Sequence, residues 1–309
     1  IGLHLLTRNG PLRWQQTLPP PATIIKVTGL TEAPDRGFFV AINTEVYTYL
    51  VRLDSLGNTL WRKKIGKKSA LVPPPFTYDP VYTRAGNLLF HCVYSDNITT
   101  GVMEVSQNGD SLTTHPTSPN PLSISNTSNP GLNPLIPLRD GGFLVAADVD
   151  SANGYSRPFL TRLDQNLNVV WSSIYRQNGS QQYRFSHPYE LADGSLVVLA
   201  NPSNGYPTTY YLFRYSAAGV LLQRYPFTSP LIAGFPNTGF TQPVGLQPLS
   251  DSTFMLVSNL RSYVANGQQV QRTYLAHLRV AGLRRVVDSH YIPASNSPLA
   301  THAPVAFPA

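Results

Sequence analysis

The sequence is short of charged residues, of cysteine and of long apolar runs, and each shortage removes a class of protein. Charged residues make up 13% of the 309 residues, about half the usual share. No apolar run approaches the roughly 18 residues that a membrane helix needs, so no transmembrane segment is expected. Cys92 is the single cysteine, which excludes an internal disulfide and a cysteine-built metal cluster. Its place in the apolar run 88–94 predicts a buried structural thiol.

Turn-forming and aromatic residues are plentiful instead. The chain has 28 prolines, 22 glycines and 17 tyrosines, and 42% of its residues are hydrophobic. The apolar residues fall in short runs that are separated by stretches rich in Ser, Thr and Asn. Short apolar runs between many turn residues are typical of β-strands and unfavourable for helices. The composition therefore predicts a globular all-β protein.

A repeated hairpin supports this fold class. Residues 49–61 and 159–171 both run from a strand through Arg-Leu-Asp and a polar turn into a second strand that carries a tryptophan. Weaker copies with the same outline occupy residues 5–14, 103–112, 212–221 and 275–283, and among these only the copy at 5–14 has the tryptophan. Self-similarity at this spacing indicates a repeat architecture.

Every copy after the first follows another hairpin, whose turn is polar and usually carries Asp or Gly. These turns and the apolar strands after them cover residues 35–40, 85–90, 140–145, 193–198 and 251–256. Asp and Gly tolerate the positive φ that tight hairpin turns require. The repeated unit therefore has four strands, named a to d here, with tight turns between a and b and between c and d.

Four antiparallel strands in every 40 to 50 residues or so are typical of propeller blades. One such unit cannot shelter both faces of its sheet, whereas units stacked around an axis share their cores. The sequence therefore predicts one domain over residues 1–309, a β-propeller of about six four-stranded blades that is closed by N- and C-terminal strands. Seven blades and a stacked-sheet solenoid are the alternatives. The expected blades are 1–18 plus 293–309, 19–66, 67–116, 117–177, 178–228 and 229–292.

The motif strand-Arg-Leu-Asp-x-x-Gly-x-x-x-Trp, preceded by Asp-Gly-Gly-Phe-Leu-Val, resembles propeller-like repeats of exported proteins from Bacteroidetes-type bacteria. The resemblance covers nearly the whole chain and implies a secreted, cell-surface or periplasmic location, but it implies little about activity. For such a source, Asp-Ser followed by a small aliphatic residue resembles an O-glycosylation signal. It marks Ser55, Ser111 and Ser151, although turns rich in Asp and Ser produce the same pattern without any modification.

The net charge of +7 comes mostly from dispersed arginines. One dense basic group lies at the end of a predicted strand, where it either protects an edge strand from pairing with other chains or binds an anionic polymer. No specific nucleic-acid partner is expected. The group consists of Arg62, Lys63, Lys64, Lys67 and Lys68.

The b–c and d–a connections of a propeller share one face, which surrounds the central channel. Long connections rich in Pro, Asn, Tyr and Phe are expected on this face at residues 66–75, 115–131, 149–157, 201–208, 227–242 and 261–269. Such loops often carry function, and their aromatic residues either stack on a ligand or seal the loops onto the scaffold. The candidate ligand-binding residues are Asp148, Asp150, Tyr155, Arg157, His187, Tyr206, Phe240 and Tyr263.

The sequence contains no Gly-x-Ser-x-Gly elbow, phosphate loop, dinucleotide motif or His-x-x-x-His pair. We therefore expect no cofactor, no bound metal and no catalytic residue, and the interpretation leans away from an enzyme. The expected function is a non-catalytic secreted or cell-surface propeller that engages a protein partner, or further copies of itself, through its Pro/Tyr-rich loop face. The alternative is a carbohydrate-binding or carbohydrate-active propeller that uses the mouth of the channel.

Overall fold

The computed structural model describes part of the chain, and every structural statement below concerns that part. Within it the backbone forms twenty-two β-strands. No helix that could cross a membrane is present among these residues. They are residues 2–6, 12–17, 24–44, 47–67, 80–93, 100–117, 135–150, 156–175, 183–202, 209–228, 240–250, 253–263, 269–279 and 289–292.

The strands form five antiparallel four-stranded sheets, numbered here as blades 1 to 5, and one two-stranded hairpin. The N-terminal hairpin is β1 (Gly2–Leu6) with β2 (Leu12–Thr17). Blade 1 is β3 (Ile24–Glu32), β4 (Phe38–Thr44), β5 (Tyr47–Leu53) and β6 (Thr59–Lys67). Blade 2 is β7 (Val81–Tyr82), β8 (Leu88–Val93), β9 (Thr100–Val105) and β10 (Ser111–Pro116).

The other three blades repeat this order. Blade 3 is β11 (Leu135–Pro137), β12 (Phe143–Asp150), β13 (Ser156–Leu163) and β14 (Val169–Ile174). Blade 4 is β15 (Tyr183–Glu190), β16 (Leu196–Pro202), β17 (Thr209–Tyr215) and β18 (Leu221–Thr228). Blade 5 is β19 (Phe240–Ser250), β20 (Thr253–Tyr263), β21 (Gln269–Arg279) and β22 (Ser289–Ile292).

Consecutive blades share apolar cores, as a single sheet with two apolar faces requires. Phe39 of blade 1 lies in one buried cluster with Phe90 of blade 2, and Leu160 of blade 3 lies in another with Phe185 of blade 4. Each fully buried aromatic side chain contributes about 2 kcal/mol to folding. The first strands of blades 2 to 5 contact one another in order, so the a-strands lie nearest the axis and the d-strands lie outside. The chain is a β-propeller.

The predicted blade number is corrected by the structure. Five complete blades are described rather than six. Trp14 of the N-terminal hairpin packs against a buried cluster of blade 1, so the hairpin occupies the place of a c–d hairpin in a preceding blade. Residues 293–309, which were expected to complete that blade, lie outside the described residues. The side chain of Cys92 in β8 also lies outside them.

The described tight turns all lie at one end of the blades, called the turn end here; the other end is called the connection end. In the c–d turns Gly57, Gly109 and Gly219 have φ values of 87°, 82° and 80°, a region that glycine adopts without steric cost. The corresponding residue of blade 3 is Leu167, with φ of 66°.

Each of these three glycines lies directly under a tryptophan from the preceding unit. A Cβ added to Gly219 would meet the Trp171 ring at 2.7 Å, and the same relation joins Gly109 to Trp61 and Gly57 to Trp14. The Trp171 indole Nε1 also donates a hydrogen bond to the Ala217 carbonyl in the same turn, at 3.0 Å. The indole therefore fixes β2, β6 and β14 to the unit that follows each of them.

The energy of this contact can be measured by comparing Gly219→Ala with Gly194→Ala. Both glycines have positive φ, but nothing lies within 4 Å of a Cβ added at Gly194. We expect Gly194→Ala to cost about 1 kcal/mol from backbone strain alone, and Gly219→Ala to cost about 2–4 kcal/mol because the ring must also move. Urea unfolding measures both values. Equal losses would show that the indole does not hold the turn.

Buried His91 makes the stability of blade 2 depend on pH. The side chain is 2% exposed, and burial lowers its pKa from 6.5 to about 4. The unfolded chain therefore binds a proton between these pH values while the folded chain does not. Stability from this residue is complete above pH 6.5 and is lost as the pH falls towards 4.

We expect the free energy of unfolding to fall on the order of 1 kcal/mol for each pH unit in this window. His91→Leu should flatten that dependence, since it removes the titrating group from a buried site. Urea unfolding of both proteins at pH 7 and pH 5 provides the measurement. The same slope in both proteins would assign the pH dependence to other groups.

Candidate functional site

The structure places several of the predicted site residues at the connection end of blade 3. Asp148 and Asp150 lie in the last part of β12, and Arg157 lies near the start of β13. The strand register pairs Arg157 with Val149, so neither aspartate is its direct cross-strand neighbour. Arg157 is exposed. These residues share one end of one blade, and their ligand-binding role stays a prediction.

Two further candidates lie at the connection end of blade 5. Phe240 begins β19, opposite Arg261 of β20, and Tyr263 ends β20, opposite Gln269 of β21. Phe240 and Tyr263 are therefore near each other along the backbone of the same sheet. Tyr155 and Tyr206 lie outside the described residues.

His187 lies in β15, the a-strand of blade 4. It is buried and has φ of 50°, a left-handed conformation that costs a non-glycine residue on the order of 1 kcal/mol. The pairing of β15 with β16 shifts between Ser186 and Tyr189, so His187 occupies a bulge. The surrounding sheet imposes this conformation on the residue.

The residues in the glycosylation pattern occupy different settings. Ser55 is half-buried in the c–d turn of blade 1, where its carbonyl accepts a hydrogen bond from Trp14 Nε1 at 3.1 Å. Ser111 is exposed at the start of β10. Ser151 lies outside the described residues. Modification of these serines stays a prediction.

The basic group lies on β6, the outermost strand of blade 1, as expected for an edge strand. Lys63 pairs with Asp110 of blade 2 at 2.7 Å, and the Lys64 ammonium lies 3.9 Å from the centroid of the Tyr47 ring. Arg62 is exposed, and Lys68 lies outside the described residues. At least part of this group therefore stabilises the edge of the blade.

The turn end carries a repeated ion pair. In blades 1, 3 and 4 an aspartate of the a–b turn pairs with an arginine of the c-strand: Asp35 with Arg52, Asp140 with Arg162 and Asp193 with Arg214. The Asp140 carboxylate accepts a hydrogen bond from the Gly142 backbone N–H and another from Arg162, and these bonds lower its pKa. These aspartates hold their turns, which explains why they recur.

Blade 2 departs from the repeat at these positions. Ala85 stands where blades 1, 3 and 4 have aspartate, and Glu104 stands where these blades have arginine. Thr113, opposite Glu104, takes the position that Trp61 and Trp171 have in blades 1 and 3. In the facing turn of blade 3, Leu167 replaces the glycine. All four changes meet at the junction of blades 2 and 3.

A cleft of about 630 Å³ opens at this junction on the turn end. Its volume lies within the range of roughly 300–1,000 Å³ that small-molecule sites occupy. Glu104 accepts a hydrogen bond from Asn87 Nδ2 at 2.8 Å. His115 Nε2 is buried with no hydrogen-bond partner among the described residues. The walls are residues 83–85 of blade 2, Glu104, Thr113 and His115 beside them, and residues 165–167 of blade 3.

The lining of the cleft is mixed in charge and polarity. One cation, Arg84, and one carboxylate, Glu104, line it together with the amides of Gln165 and Asn166. The described residues contain no group of three or more His, Cys, Asp or Glu side chains that could hold a metal ion. The cleft was missed by the sequence interpretation, although the loss of tryptophan at 103–112 and of glycine at Leu167 marked its two sides.

Comparison with known proteins shows the fold and no family. No protein-family profile matches the sequence, and no curated protein is similar to it. A protein of unknown function from Dyadobacter fermentans has a TM-score of 0.59 at 10% identity, and the match covers 94% of this chain and 86% of that one. A variant of the Synechocystis apocarotenoid oxygenase has a TM-score of 0.51 at 10% identity, over 93% of this chain and 66% of that one.

An exo-β-1,3-galactanase from Phanerochaete chrysosporium has a TM-score of 0.46 at 14% identity, over 83% of this chain and 65% of that one. This similarity is too low to support any statement about activity. The first two similarities agree with the β-propeller fold, and the function has to be argued from the site.

Proposed function

We propose that this chain is a non-catalytic binding propeller, secreted or displayed at the cell surface, that engages a protein partner or further copies of itself through its connection end. The Pro/Tyr-rich composition of the connections supports this surface, and the resemblance to exported repeat proteins supports the location. Asp148, Asp150, Tyr155, Arg157, Tyr206, Phe240 and Tyr263 belong to this proposed surface.

The projecting hairpin of blade 5 is the observation that carries the proposal. From Phe254, β20 continues to Tyr263, whereas β12 of blade 3 continues from the corresponding Phe143 only to Asp150. The ladder between β20 and β21 remains paired as far as Tyr263 and Gln269. At about 3.3 Å for each residue, the two additional residues carry the hairpin roughly 7 Å further out.

The shape of this feature favours a macromolecular partner. Small ligands bind in concave sites, whereas a hairpin that extends beyond its neighbours presents a convex edge. Tyr263 is the last paired residue of the hairpin, and Phe240 of the neighbouring β19 pairs with Arg261, where the projecting part begins. Aromatic residues are enriched where proteins bind one another. A protein surface is therefore the proposed occupant of this end.

The test compares Phe240→Ser/Tyr263→Ser with Leu249→Ser. Leu249 is an exposed apolar residue of the same blade, 53% exposed in β19, and it lies near the turn end. We expect the unmodified chain and Leu249→Ser to form an oligomer or a stable complex, and the double variant to lose it because its contact residues are gone. Light scattering after size-exclusion chromatography, with cross-linking mass spectrometry on producing cells, measures this.

A clean monomer without cross-links at residues 240–269 would contradict the proposed contact.

Digestion of the protein by protease added to intact producing cells is expected, because the proposed location is outside the cell. Full protection under those conditions would contradict that part. If the unmodified chain is a monomer that binds glycans, and Asp148→Ala and Tyr206→Ala abolish that binding, the carbohydrate alternative is supported instead.

A further inference from the structure

We propose that the cleft between blades 2 and 3 binds a neutral polyhydroxylated ligand, such as the terminal saccharide of a glycan. The cleft opens at the turn end and includes none of the residues assigned to the partner surface. This proposal therefore does not rest on the proposed protein contact, and either can fail without the other.

The junction of blades 2 and 3 lacks the indole that covers the facing turn at two other junctions. Between blades 1 and 2 and between blades 3 and 4, an indole covers the facing turn. Thr113 is too small to do so, and Leu167 fills only the inner part of the space because it is 5% exposed within the apolar core of blades 2 and 3. The outer part remains open as the cleft.

The junction of blades 2 and 3 also lacks the hydrogen bond from an indole N–H to a turn carbonyl. The Ser55 and Ala217 carbonyls each accept an indole N–H. Gln165 occupies the equivalent turn position, and no donor to its carbonyl is found in the described part of the chain. The Glu104 carboxylate, which replaces a donor arginine, accepts one side-chain hydrogen bond within the described residues, from Asn87. A ligand that donates hydrogen bonds would satisfy these acceptors.

The cleft is lined by one positive and one negative side chain. Arg84 and Glu104 both lie on the blade 2 side of the cleft and carry opposite charges, so neither an anionic nor a cationic ligand gains from the site as a whole. The amides of Gln165 and Asn166 both donate and accept. Hydroxyl groups do the same, so a polyhydroxylated ligand matches these groups. Arg84 disfavours a guanidinium or ammonium group in this place.

A glycan array followed by calorimetric titration of the best-scoring sugar tests the site. Thr113→Trp/Leu167→Gly restores the tryptophan–glycine pair that joins blades 1 and 2 and blades 3 and 4, so it should fold normally while its indole closes the cleft. Glu104→Gln keeps the shape of the site and removes the charged acceptor. The matched control is Gln223→Trp, which places an indole at the equivalent d-strand position of blade 4, opposite Arg214.

We expect the unmodified chain and Gln223→Trp to bind the same sugar with equal affinity. Glu104→Gln should weaken binding about tenfold, as expected for the loss of a hydrogen bond to a charged group, and Thr113→Trp/Leu167→Gly should abolish it while unfolding at an unchanged or higher urea concentration. The proposal is overturned if no glycan binds, if the closed variant still binds, or if free arginine binds in the cleft and sugars do not.

Discussion

The contact between an indole and the glycine turn of the next unit supports much of the order in this propeller. Trp14, Trp61 and Trp171 each lie on a turn of the following blade, where a Cβ would leave no room for the ring. Because the two halves of the contact belong to different sheets, the contact sets the spacing and the rotation between them. The apolar clusters that neighbouring blades share pack at the blade-to-blade spacing that these contacts set.

The two ends of the blades follow different rules. At the turn end, backbone positions are set by short turns, and the pairs Asp140–Arg162 and Asp193–Arg214 hold them. Exposed ion pairs of this kind contribute little stability individually, so their value lies in orienting the turns. At the connection end the blades differ in length, as β20 and β12 show. Variation is therefore concentrated at one end of a regular scaffold.

The period and the turn chemistry of the sequence were sufficient to predict the strand order within a blade. The matching segments at 49–61 and 159–171 indicated the c–d hairpin because Gly, Asp and Trp each have a specific geometric role there. The blade count was harder, since closure depends on how residues 293–309 meet the N-terminal hairpin, and pairing between distant segments leaves little trace in one sequence. The cleft was also overlooked, because it arises from residues that depart from the pattern. Glu104, Thr113 and Leu167 are unremarkable individually and become informative only when the structure brings them together.

The placement of the tryptophan–glycine contact has a consequence for how such a protein changes over generations. Blade 1 carries both a ring for its successor, Trp61, and a bare turn for its predecessor, Gly57, so a duplicate of this blade already fits on both sides. Duplication of such a blade therefore preserves both contacts, whereas loss of one ring leaves a space that a second change, in the facing turn, can correct. The Thr113–Leu167 pair has the form of such a joint correction, with an opening to solvent left beside it.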